Sequence, residues 1–591
     1  MPALYPVLLW AVLALLLLAA SRRAAALLNA RPLRAAGDAA VRLSRRAYWL
    51  LLAAVFALAL FLRLYGFPDI PANYHTDGIL SAVDGYALAR FGTDHYGTSY
   101  PAMMEAWGYG QQSAMLAYLM SLSTRFFGLT RLGVRLPTML VSLAGLAVFY
   151  DFARRLCGRS YALLALFLLA VSPWHIQQSR QALDAYMLCH FLLFSMDLLV
   201  LGLRRRPALY LSMVFFALSM YCYGVAAYVV PPLLICCCAY LLARRFVRVR
   251  DALMCALIFF VVSLPVVLTL CINAFGWETV QLGPITCQRF EESTRSSDIL
   301  FFTQEPFMDR LFANLLCALR VTFWQSVQAL GTDARFGAVY PFSAPLLAAG
   351  LLLLWRHRRT ADLTRASGSL EPRAGFLLLC WTLCAFASCV ITNSVTSWRA
   401  NAIYYPLVLL AAYAVYWACR RVRAFIPAFA AVYLAALCVF FPTYIAENRE
   451  AVDSQDSPAG QYEALAYVRD LPFEHLYFDA GAPEGADYYI YDAPTVRLLY
   501  VFGLSPAQFN EEAPILSCEG EDIGLYGDVF ELWPPEYGAD YLPDPEENAA
   551  YVIPAANLEQ FDPEAFHIEV FHTYAAVYPQ AMMPATQEGQ P

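Results

Sequence analysis

Carboxylates and histidines gather in a polar stretch that follows the second apolar run of the chain. The stretch contains His75-Thr76-Asp77-Gly78, then Asp84, and then Asp94-His95. Asp77 and Asp84 are seven positions apart, so both lie on one face of a helix that continues through Ile79–Arg90, with Asp77 in its first turn. A carboxylate placed there can act as a general base toward a hydroxyl or can ligate a divalent cation. The alternative is a helix-capping aspartate on a solvated loop.

The elements that must hold these side chains are predicted to be membrane-spanning helices. Of the 591 residues, 60% are hydrophobic and only 15% are charged, whereas a soluble domain has roughly 25% charged residues. Apolar runs near the roughly 20 residues that cross a bilayer recur along the chain, which predicts an α-helical polytopic protein with about 11–12 spanning helices. The runs lie at 3–20, 48–66, 134–153, 160–177, 184–203, 208–222, 225–243, 252–273, 341–355, 375–393, 401–419 and 425–442.

The first apolar run, 3–20, could be a signal sequence or a retained anchor. Arg22 and Arg23 follow it, and no small-residue cleavage site stands out. We therefore favour an anchor helix with a basic cytoplasmic linker over 1–47.

Arginine clusters occupy every second connection between the predicted helices. Short cytoplasmic loops carry the Lys/Arg excess, so these connections are predicted to face inward. The alternation holds only if the moderately apolar segment Gln111–Gly128 does not cross, and we predict a helix lying in the outer interface there. The loops 67–133 and 274–340, and the chain after about 442, then face outward. The clusters are Arg22/Arg23 with Arg42/Arg45/Arg46, Arg154/Arg155/Arg159, Arg204/Arg205/Arg206, Arg244/Arg245/Arg248/Arg250, Arg356/Arg358/Arg359 and Arg420/Arg421/Arg423.

The chain changes character after the membrane domain, which is predicted over 48–442. Residues 443–591 are acidic, rich in Tyr and Pro, and contain no apolar run long enough to span, so we predict a small extracytoplasmic α/β domain. The net charge of -7 comes mostly from this region, which argues against nucleic acid as a partner. A helix is predicted at Gln461–Arg469 and strands at His475–Phe478, Val496–Val501, Tyr551–Ile553 and Phe566–Phe571.

The cysteines do not indicate a disulfide framework. Most of the 16 fall within predicted spans, where Cys behaves as a small hydrophobe. Cys287 and Cys518 are the clearest outward-facing ones. Cys380 and Cys384 stand at helical spacing, but no third ligand joins them, so they do not predict a metal site.

Several motifs in a fixed order carry a family resemblance. They begin with His75-Thr76-Asp77 and continue over roughly 48–205, with a looser match around Ser397–Ala402 and Tyr405-Pro406. In this order they resemble the polyprenyl-phosphate-sugar-dependent glycosyltransferases of the protein O-mannosyltransferase and aminoarabinose transferase superfamily, which are family 39-like enzymes with the C-type glycosyltransferase fold. The other motifs are Asp84–Ala87, Gly92–Gly97, Glu105–Gly108, Arg135–Pro137, Ser172–Arg180 and Asp184.

The resemblance implies an inverting transfer of a sugar from a polyprenyl-phosphate donor lipid to a hydroxyl acceptor on a protein, lipid or cell-wall glycan. The site would lie at the outer face of a bacterial plasma membrane, among membrane lipids. Asp77 takes the family's catalytic position. Many members have an acidic pair where this chain has Asp77-Gly78, so the resemblance leaves a divalent cation, Mg²⁺ or Mn²⁺, open as a cofactor.

Other site residues follow from the same motifs. A leaving lipid phosphate gains negative charge, and a planar guanidinium suits it. Arg399, with Asn401 beside it, and Arg180 are the candidates for donor-phosphate binding. For Arg180 the alternative is an i,i+4 pair with Asp184, and for Arg399 it is an interface anchor. The candidate substrate-binding residues are His75, Asp84, Asp94, His95, Glu105, Trp107, His175 and Asp184.

Two other classes of function fit a polytopic chain with intramembrane charge. A lipid-linked sugar flippase or other transporter is one, although no internal repeat of the kind common in transporters is evident. A glycan polymerase or ligase that uses a lipid carrier is the other, and it would be expected to rely on arginines in a large later loop. Inactivation through Asp77 favours the transferase over both.

Overall fold

The structure is a computed structural model, and it describes 44–106, 110–290, 307–324, 335–357, 372–392, 395–422, 425–451, 459–479, 493–504, 525–526, 530–533 and 543–582. The predicted anchor run 3–20, Trp107 and Cys518 lie outside these residues.

Apolar helices make up most of the described chain. Eight are long and apolar enough to cross a membrane: α1 (Arg45–Leu64), α4 (Arg131–Cys157), α7 (Ala185–Gly202), α9 (Ala226–Ala243), α10 (Val249–Phe275), α13 (Pro372–Ile391), α14 (Asn401–Arg421) and α15 (Phe425–Glu447). Three shorter apolar helices are α5 (Arg159–Ala170), α8 (Arg206–Ser219) and α12 (Ala344–His357). The remaining helices are α2 (Thr76–Phe91), α3 (Met115–Phe127), α6 (Pro173–Gln178), α11 (Phe307–Leu319), α16 (Ala459–Val468) and α17 (Ala493–Phe502). Each apolar run predicted beyond residue 44 coincides with one of these helices, which confirms a multi-pass α-helical fold.

The helix predicted at Gln111–Gly128 is shorter than expected. Gln111 and Gln112 belong to a hairpin, β1 (Met104–Ala106) and β2 (Gly110–Gln112), and α3 begins only at Met115. With 13 residues, α3 is about 20 Å long, too short for the roughly 30 Å hydrocarbon core. It packs along α2 so closely that a Cβ on Gly85 would lie 2.8 Å from the Ala117 carbonyl oxygen. This length is consistent with a segment that does not cross.

Three of the connections that are predicted to face inward lie together at one end of the bundle. Arg154 and Arg155 near the end of α4, Arg204 after α7 and Arg373 at the start of α13 line a common cavity. At the opposite end, the hairpin β3 (Val280–Leu282) and β4 (Ile285–Cys287) joins the first predicted outer loop. There the Ala102 N–H donates to the Thr286 carbonyl oxygen at 2.9 Å.

The C-terminal region forms a mixed six-stranded sheet in the order β6-β7-β5-β8-β10-β9. Its strands are β5 (His475–Asp479), β6 (Leu525–Tyr526), β7 (Phe530–Trp533), β8 (Ala549–Pro554), β9 (Phe566–Phe571) and β10 (Tyr574–Pro579). The central strand β5 runs parallel to both β7 and β8. The strands predicted at 475, 551 and 566 are present, and so is the predicted helix, as α16.

The strand predicted at Val496–Val501 is wrong, because these residues form part of helix α17. Val and Tyr in this segment favour a strand locally. In the structure, Val496, Leu499 and Tyr500 stand at helical spacing and are buried in the same core as the membrane helices. Tertiary packing therefore overrides the local preference.

Candidate active site

Asp77 lies in the first turn of α2, as the sequence predicts. His75 caps the helix, because its Nδ1 accepts a hydrogen bond from the Asp77 N–H at 3.1 Å. Nδ1 is 4.0 Å from Asp77 Oδ2, beyond hydrogen-bonding distance, and the Asp77 side chain is 35% exposed. The Asp77 carboxylate is thus not the N-cap, and it lies at the N-terminal, positive end of the helix dipole.

Gly78 occupies a position that has no room for a side chain. A Cβ there would lie 2.2 Å from the Ala182 carbonyl oxygen, and that oxygen belongs to backbone that cannot rotate away. The N-terminus of α2 therefore packs directly on the segment after α6. A second carboxylate directly after Asp77 would not fit this contact.

The hairpin β1–β2 supports the same turn from the other side. Gln112 Nε2 donates to the Asp77 carbonyl oxygen and to Ser81 Oγ, both at 3.3 Å. Ser81 Oγ in turn donates to the Asp77 carbonyl oxygen at 2.9 Å. Glu105 lies on β1 opposite Gln111 in the hairpin. The main chain at Asp77 is thus held by hydrogen bonds with three side chains, those of His75, Ser81 and Gln112, while its carboxylate stays accessible.

Asp84 lies two turns further along α2 and is fully buried. Its Oδ1 contacts His95 Nδ1 at 2.6 Å and accepts from the His95 N–H at 3.2 Å. The neighbouring Asp94 accepts from the Thr98 N–H at 2.8 Å and the Tyr96 N–H at 3.1 Å through its Oδ1. Burial, and then the charge of Asp84, raises the pKa of Asp94 to about 7. These three candidate substrate-binding side chains therefore fasten the loop after α2 onto the helix.

Arg180 is buried, and its guanidinium faces the end of α1. It donates to the carbonyl oxygens of Leu62 at 3.0 Å and Ile70 at 3.1 Å, and also to those of Arg63 and Tyr65. Carbonyls at a helix C-terminus lack donors within the helix. Arg180 provides the missing hydrogen-bond donors. Asp184 caps α7 by accepting from the Ala185 N–H at 2.6 Å. The donor-phosphate role of Arg180 stays a prediction, and these contacts do not favour it.

Asn401 and Arg399 differ in exposure although they are two residues apart. Asn401 is buried, accepts from Trp174 Nε1 at 2.7 Å and donates to the Ala185 carbonyl oxygen at 3.2 Å. Arg399 is half-buried in the turn that precedes α14. Of the two predicted phosphate-binding arginines, Arg399 is the one that solvent reaches.

His175 belongs to a buried polar chain that the sequence did not reveal. Arg63 donates to His175 Nδ1 from Nε at 3.1 Å and from a terminal nitrogen at 2.9 Å. Nδ1 is therefore an acceptor, and the ring proton on Nε2 is donated to the Tyr405 hydroxyl at 3.1 Å. The Tyr405 hydroxyl also hydrogen bonds with His190 Nδ1 at 2.8 Å. The arrangement is structural, and it satisfies groups whose burial would otherwise be costly.

Arg135 is a second positioning residue that was seen only as part of a motif. It is buried and donates to the carbonyl oxygens of Pro68 and Asn73, each at 2.6 Å, and also to that of Pro71. These carbonyls belong to the loop that leads into His75. An arginine one turn inside an apolar span is the sequence signal that could have indicated such a role.

Known proteins share this arrangement of helices. Residues 111–268 match the family model described as dolichyl-phosphate-mannose-protein mannosyltransferase. ArnT from Cupriavidus metallidurans, in its apo state, aligns over 92% of this chain and 100% of its own, at 12% identity and a TM-score of 0.54. Its structure bound to undecaprenyl phosphate has the same coverage and identity and a TM-score of 0.50. The chain has the C-type glycosyltransferase fold.

Another solved structure to which the chain is similar belongs to a longer protein. An oligosaccharyltransferase from Archaeoglobus fulgidus aligns over 80% of this chain and 59% of its own, at 15% identity and a TM-score of 0.46. The chain thus spans about three fifths of that protein. No curated protein sequence matches the chain. The resemblance inferred from the motifs is confirmed, and the family-model match begins downstream of Asp77.

Proposed function

We propose that the chain is an inverting glycosyltransferase that moves a sugar from a polyprenyl-phosphate lipid to a hydroxyl acceptor, with Asp77 as the general base. The reaction would take place at the outer face of a bacterial plasma membrane. The observation that carries the proposal is the state of Asp77: its main chain is fixed by hydrogen bonds with three side chains, its helix is capped by another residue, and its carboxylate is 35% exposed.

The fold and the family-model match support the donor class. A polyprenyl tail lies in the bilayer, so its sugar-phosphate head is at the membrane surface, where a spanning helix or its preceding loop can reach it. Asp77 begins a helix that follows the end of span α1. ArnT, whose fold the chain shares, has been solved with undecaprenyl phosphate.

The chemistry needs one base and one cation. Asp77 would take the proton of the acceptor hydroxyl as its oxygen forms a bond to the anomeric carbon. The bond from that carbon to the phosphate oxygen breaks on the opposite side, and the electron pair leaves with the lipid phosphate. The configuration at the anomeric carbon inverts, and the phosphate gains negative charge that a guanidinium would stabilise.

Arg399 is the better of the two predicted arginines for that task. It is half-buried and solvent reaches it, whereas the donors of Arg180 are directed to backbone carbonyls. A guanidinium presents parallel donors that match two phosphate oxygens. Arg399 would therefore hold the donor phosphate during transfer.

The residues at this turn fit a divalent cation poorly. Mg²⁺ and Mn²⁺ favour several oxygen ligands, and Gly78 leaves no space for a second carboxylate beside Asp77. His75 Nδ1 is directed to a backbone N–H. Among the described residues, no group of three His, Cys, Asp or Glu side chains is placed to hold a metal. The proposed mechanism therefore routes no step through a metal, and the predicted cation remains to be tested.

The direct test is sugar transfer from labelled polyprenyl-phosphate donors by membranes that carry the wild type, Asp77→Asn or Asp69→Asn. Asp69 is an exposed acid earlier in the same loop, so its variant matches the charge change. Loss of transfer in Asp77→Asn alone, with unchanged thermal stability, supports the proposal. Equal transfer by all three proteins removes Asp77 from the reaction. No transfer by the wild type across a broad donor panel would contradict the enzyme assignment.

Substitution of Arg399 and of Arg180 gives a second prediction, which separates donor binding from structural stability. We expect Arg399→Gln to raise the donor KM by roughly ten- to a hundredfold, because a charge-assisted hydrogen bond contributes about 1.5–3 kcal/mol. Arg180→Gln should instead lower the melting temperature, because the α1 carbonyls lose their donors. Initial rates over a donor series and a thermal melt distinguish the two. A donor KM that rises in Arg180→Gln but not in Arg399→Gln would reverse the assignment.

A further inference from the structure

Tyr74 stands directly before His75 and packs against two tyrosines of the C-terminal region. The centre of its ring lies 5.7 Å from that of Tyr462 on α16 and 5.4 Å from that of Tyr500 on α17. The rings of Tyr462 and Tyr500 are 5.9 Å apart and perpendicular to each other. All three distances fall in the range of roughly 4.5–7 Å that aromatic pairs favour. Tyr74, Tyr462 and Tyr500 are called the tyrosine cluster below.

Helix α4 holds the tyrosine cluster from the side of the membrane domain. The guanidinium carbons of Arg131 and Arg135 lie 5.2 Å and 5.4 Å from the centre of the Tyr74 ring, which is within reach of a cation–π contact. Arg135 also donates to the Asn73 carbonyl oxygen at 2.6 Å. Helices α4, α16 and α17 therefore meet at Tyr74.

The chain after α15 contacts the same loop and α2 at two further points. The Ala72 N–H donates to the carbonyl oxygen of Asn448 at 2.8 Å, and Asn448 directly follows α15. A Cβ on Gly503, just beyond α17, would lie 3.8 Å from the Tyr86 hydroxyl of α2. The C-terminal region is thus part of the packing around the first half of α2.

A cavity of about 230 Å³ borders the tyrosine cluster, and all three tyrosines line it. Ala72 of the loop and Arg131 of α4 line it as well. The described residues therefore leave one side of the loop before His75 unpacked. Loss of a ring from the cluster would give this loop both the freedom and the room to shift.

We propose that Tyr462 and Tyr500 are positioning residues, through which the C-terminal region holds the Asp77 base in place. The proposal rests on the base role proposed above for Asp77. Only three positions separate Tyr74 from Asp77, and His75 between them caps α2 through the Asp77 N–H. A shift of Tyr74 therefore displaces the cap and the base together.

A positioning role has a defined kinetic consequence. Misplacement of a catalytic group by about 1 Å can lower the rate by up to about 10². The two tyrosines act on the base and not on the donor, so the turnover number should change and the donor KM should not. A structural role alone would lower the melting temperature and leave turnover per folded molecule unchanged.

The test measures transfer by the purified full chain in nanodiscs, with thermal melts to correct for folded protein. We expect Tyr462→Leu and Tyr500→Leu each to lower the turnover number about tenfold at an unchanged donor KM. Tyr462→Phe keeps the ring and should retain turnover within about twofold of the wild type. Tyr578→Leu is the matched control, because Tyr578 is a buried tyrosine of the C-terminal region that packs in a separate core.

Combination with Asp77→Asn shows whether the tyrosines act through the base. In that background Tyr462→Leu should lower transfer less than about twofold, because no base remains to be displaced. The same loss in both backgrounds would overturn the proposal. So would wild-type turnover in both Leu variants, or an equal loss in Tyr578→Leu.

The two proposals fail in different ways. Wild-type transfer by Asp77→Asn would overturn the base assignment and this inference with it. An inactive Asp77→Asn protein together with fully active Tyr462→Leu and Tyr500→Leu proteins would overturn this inference alone.

Hydrogen exchange provides a readout that needs no donor lipid. The amides of residues 72–78 should exchange about tenfold faster in Tyr462→Leu than in the wild type, and Tyr578→Leu should leave them unchanged. Unchanged exchange in Tyr462→Leu would overturn the proposal whatever the transfer assay gives. If the buried tyrosines do not tolerate Leu, Tyr74→Leu removes the ring at the half-buried member of the cluster. The same changes in turnover and exchange are then expected.

Discussion

The first turn and the middle of α2 carry the same chemical group in opposite surroundings. The Asp77 side chain is 35% exposed at the helix N-terminus, whereas Asp84 is fully buried against His95. The difference comes from what covers each turn, since the loop that contains Asp94 and His95 folds over the middle of the helix. The loop thus decides whether a carboxylate on α2 is partly exposed or fully buried. The same Asp→Asn substitution at both positions should separate a catalytic role from a structural one.

Asp77→Asn tests the reactive end and should have the largest effect. Removing a general base lowers the turnover number by about 10²–10⁴. We expect this loss with an unchanged melting temperature, because the Asp77 side chain is only partly buried and His75 caps the helix. Transfer assays and thermal melts on the same preparation check both expectations. An activity loss that merely follows a fall in melting temperature would make Asp77 a structural residue like Asp84.

Gly78→Ala tests whether the first turn must pack on backbone. The added Cβ would meet the Ala182 carbonyl oxygen at 2.2 Å, so the turn has to move. Overpacking of this kind costs about 1–3 kcal/mol, and a displaced base costs up to about 10² in rate. Melting temperature and transfer should therefore fall together. A wild-type melting temperature together with wild-type transfer would show that the backbone accommodates the added Cβ without loss of stability or activity.

Asp84→Asn makes the same chemical change as Asp77→Asn, but at the buried turn in the middle of α2. In this variant an amide NH₂ takes the place of Asp84 Oδ2. That oxygen is buried, and no described residue hydrogen bonds to it. A buried donor without a partner costs about 1–3 kcal/mol of unfolding free energy. Denaturation of the purified protein should show that loss, with transfer per folded molecule reduced far less than in Asp77→Asn. A stable protein without activity would move Asp84 into the catalytic group.

A smaller effect is expected from pH. The pKa of Asp94 is raised to about 7 by burial and by Asp84, whereas an unfolded aspartate titrates near 3.9. Between these values the folded protein binds more protons than the unfolded chain, so the free energy of unfolding falls as pH rises from about 4 to about 7. Melting temperatures across that window should decline in the wild type and less in Asp94→Asn. Parallel curves for both proteins would contradict the raised pKa.

The exposed first turn of α2 could be predicted from sequence, because it depends on local spacing. The apolar periodicity after Asp77 predicts the helix, and the position of the residue within it sets its exposure at the first turn. The pairing of Asp84 with His95 could not be predicted, since it joins a helix to a loop through tertiary contact. Arg180 shows the same limit: the sequence predicted an outer connection for it but not its partners, which include the carbonyls of Leu62 and Arg63 on α1. The strand predicted at Val496–Val501 is wrong because packing in the shared core, rather than local preference, decides the structure of this segment.

The close approach at Gly78 links two stretches of chain that are a hundred residues apart in sequence. A side chain at position 78 requires the backbone around Ala182 to move, so an acidic residue introduced after Asp77 would displace that segment. Related chains that carry an acid at this position should therefore differ as well in the segment between the equivalents of α6 and α7.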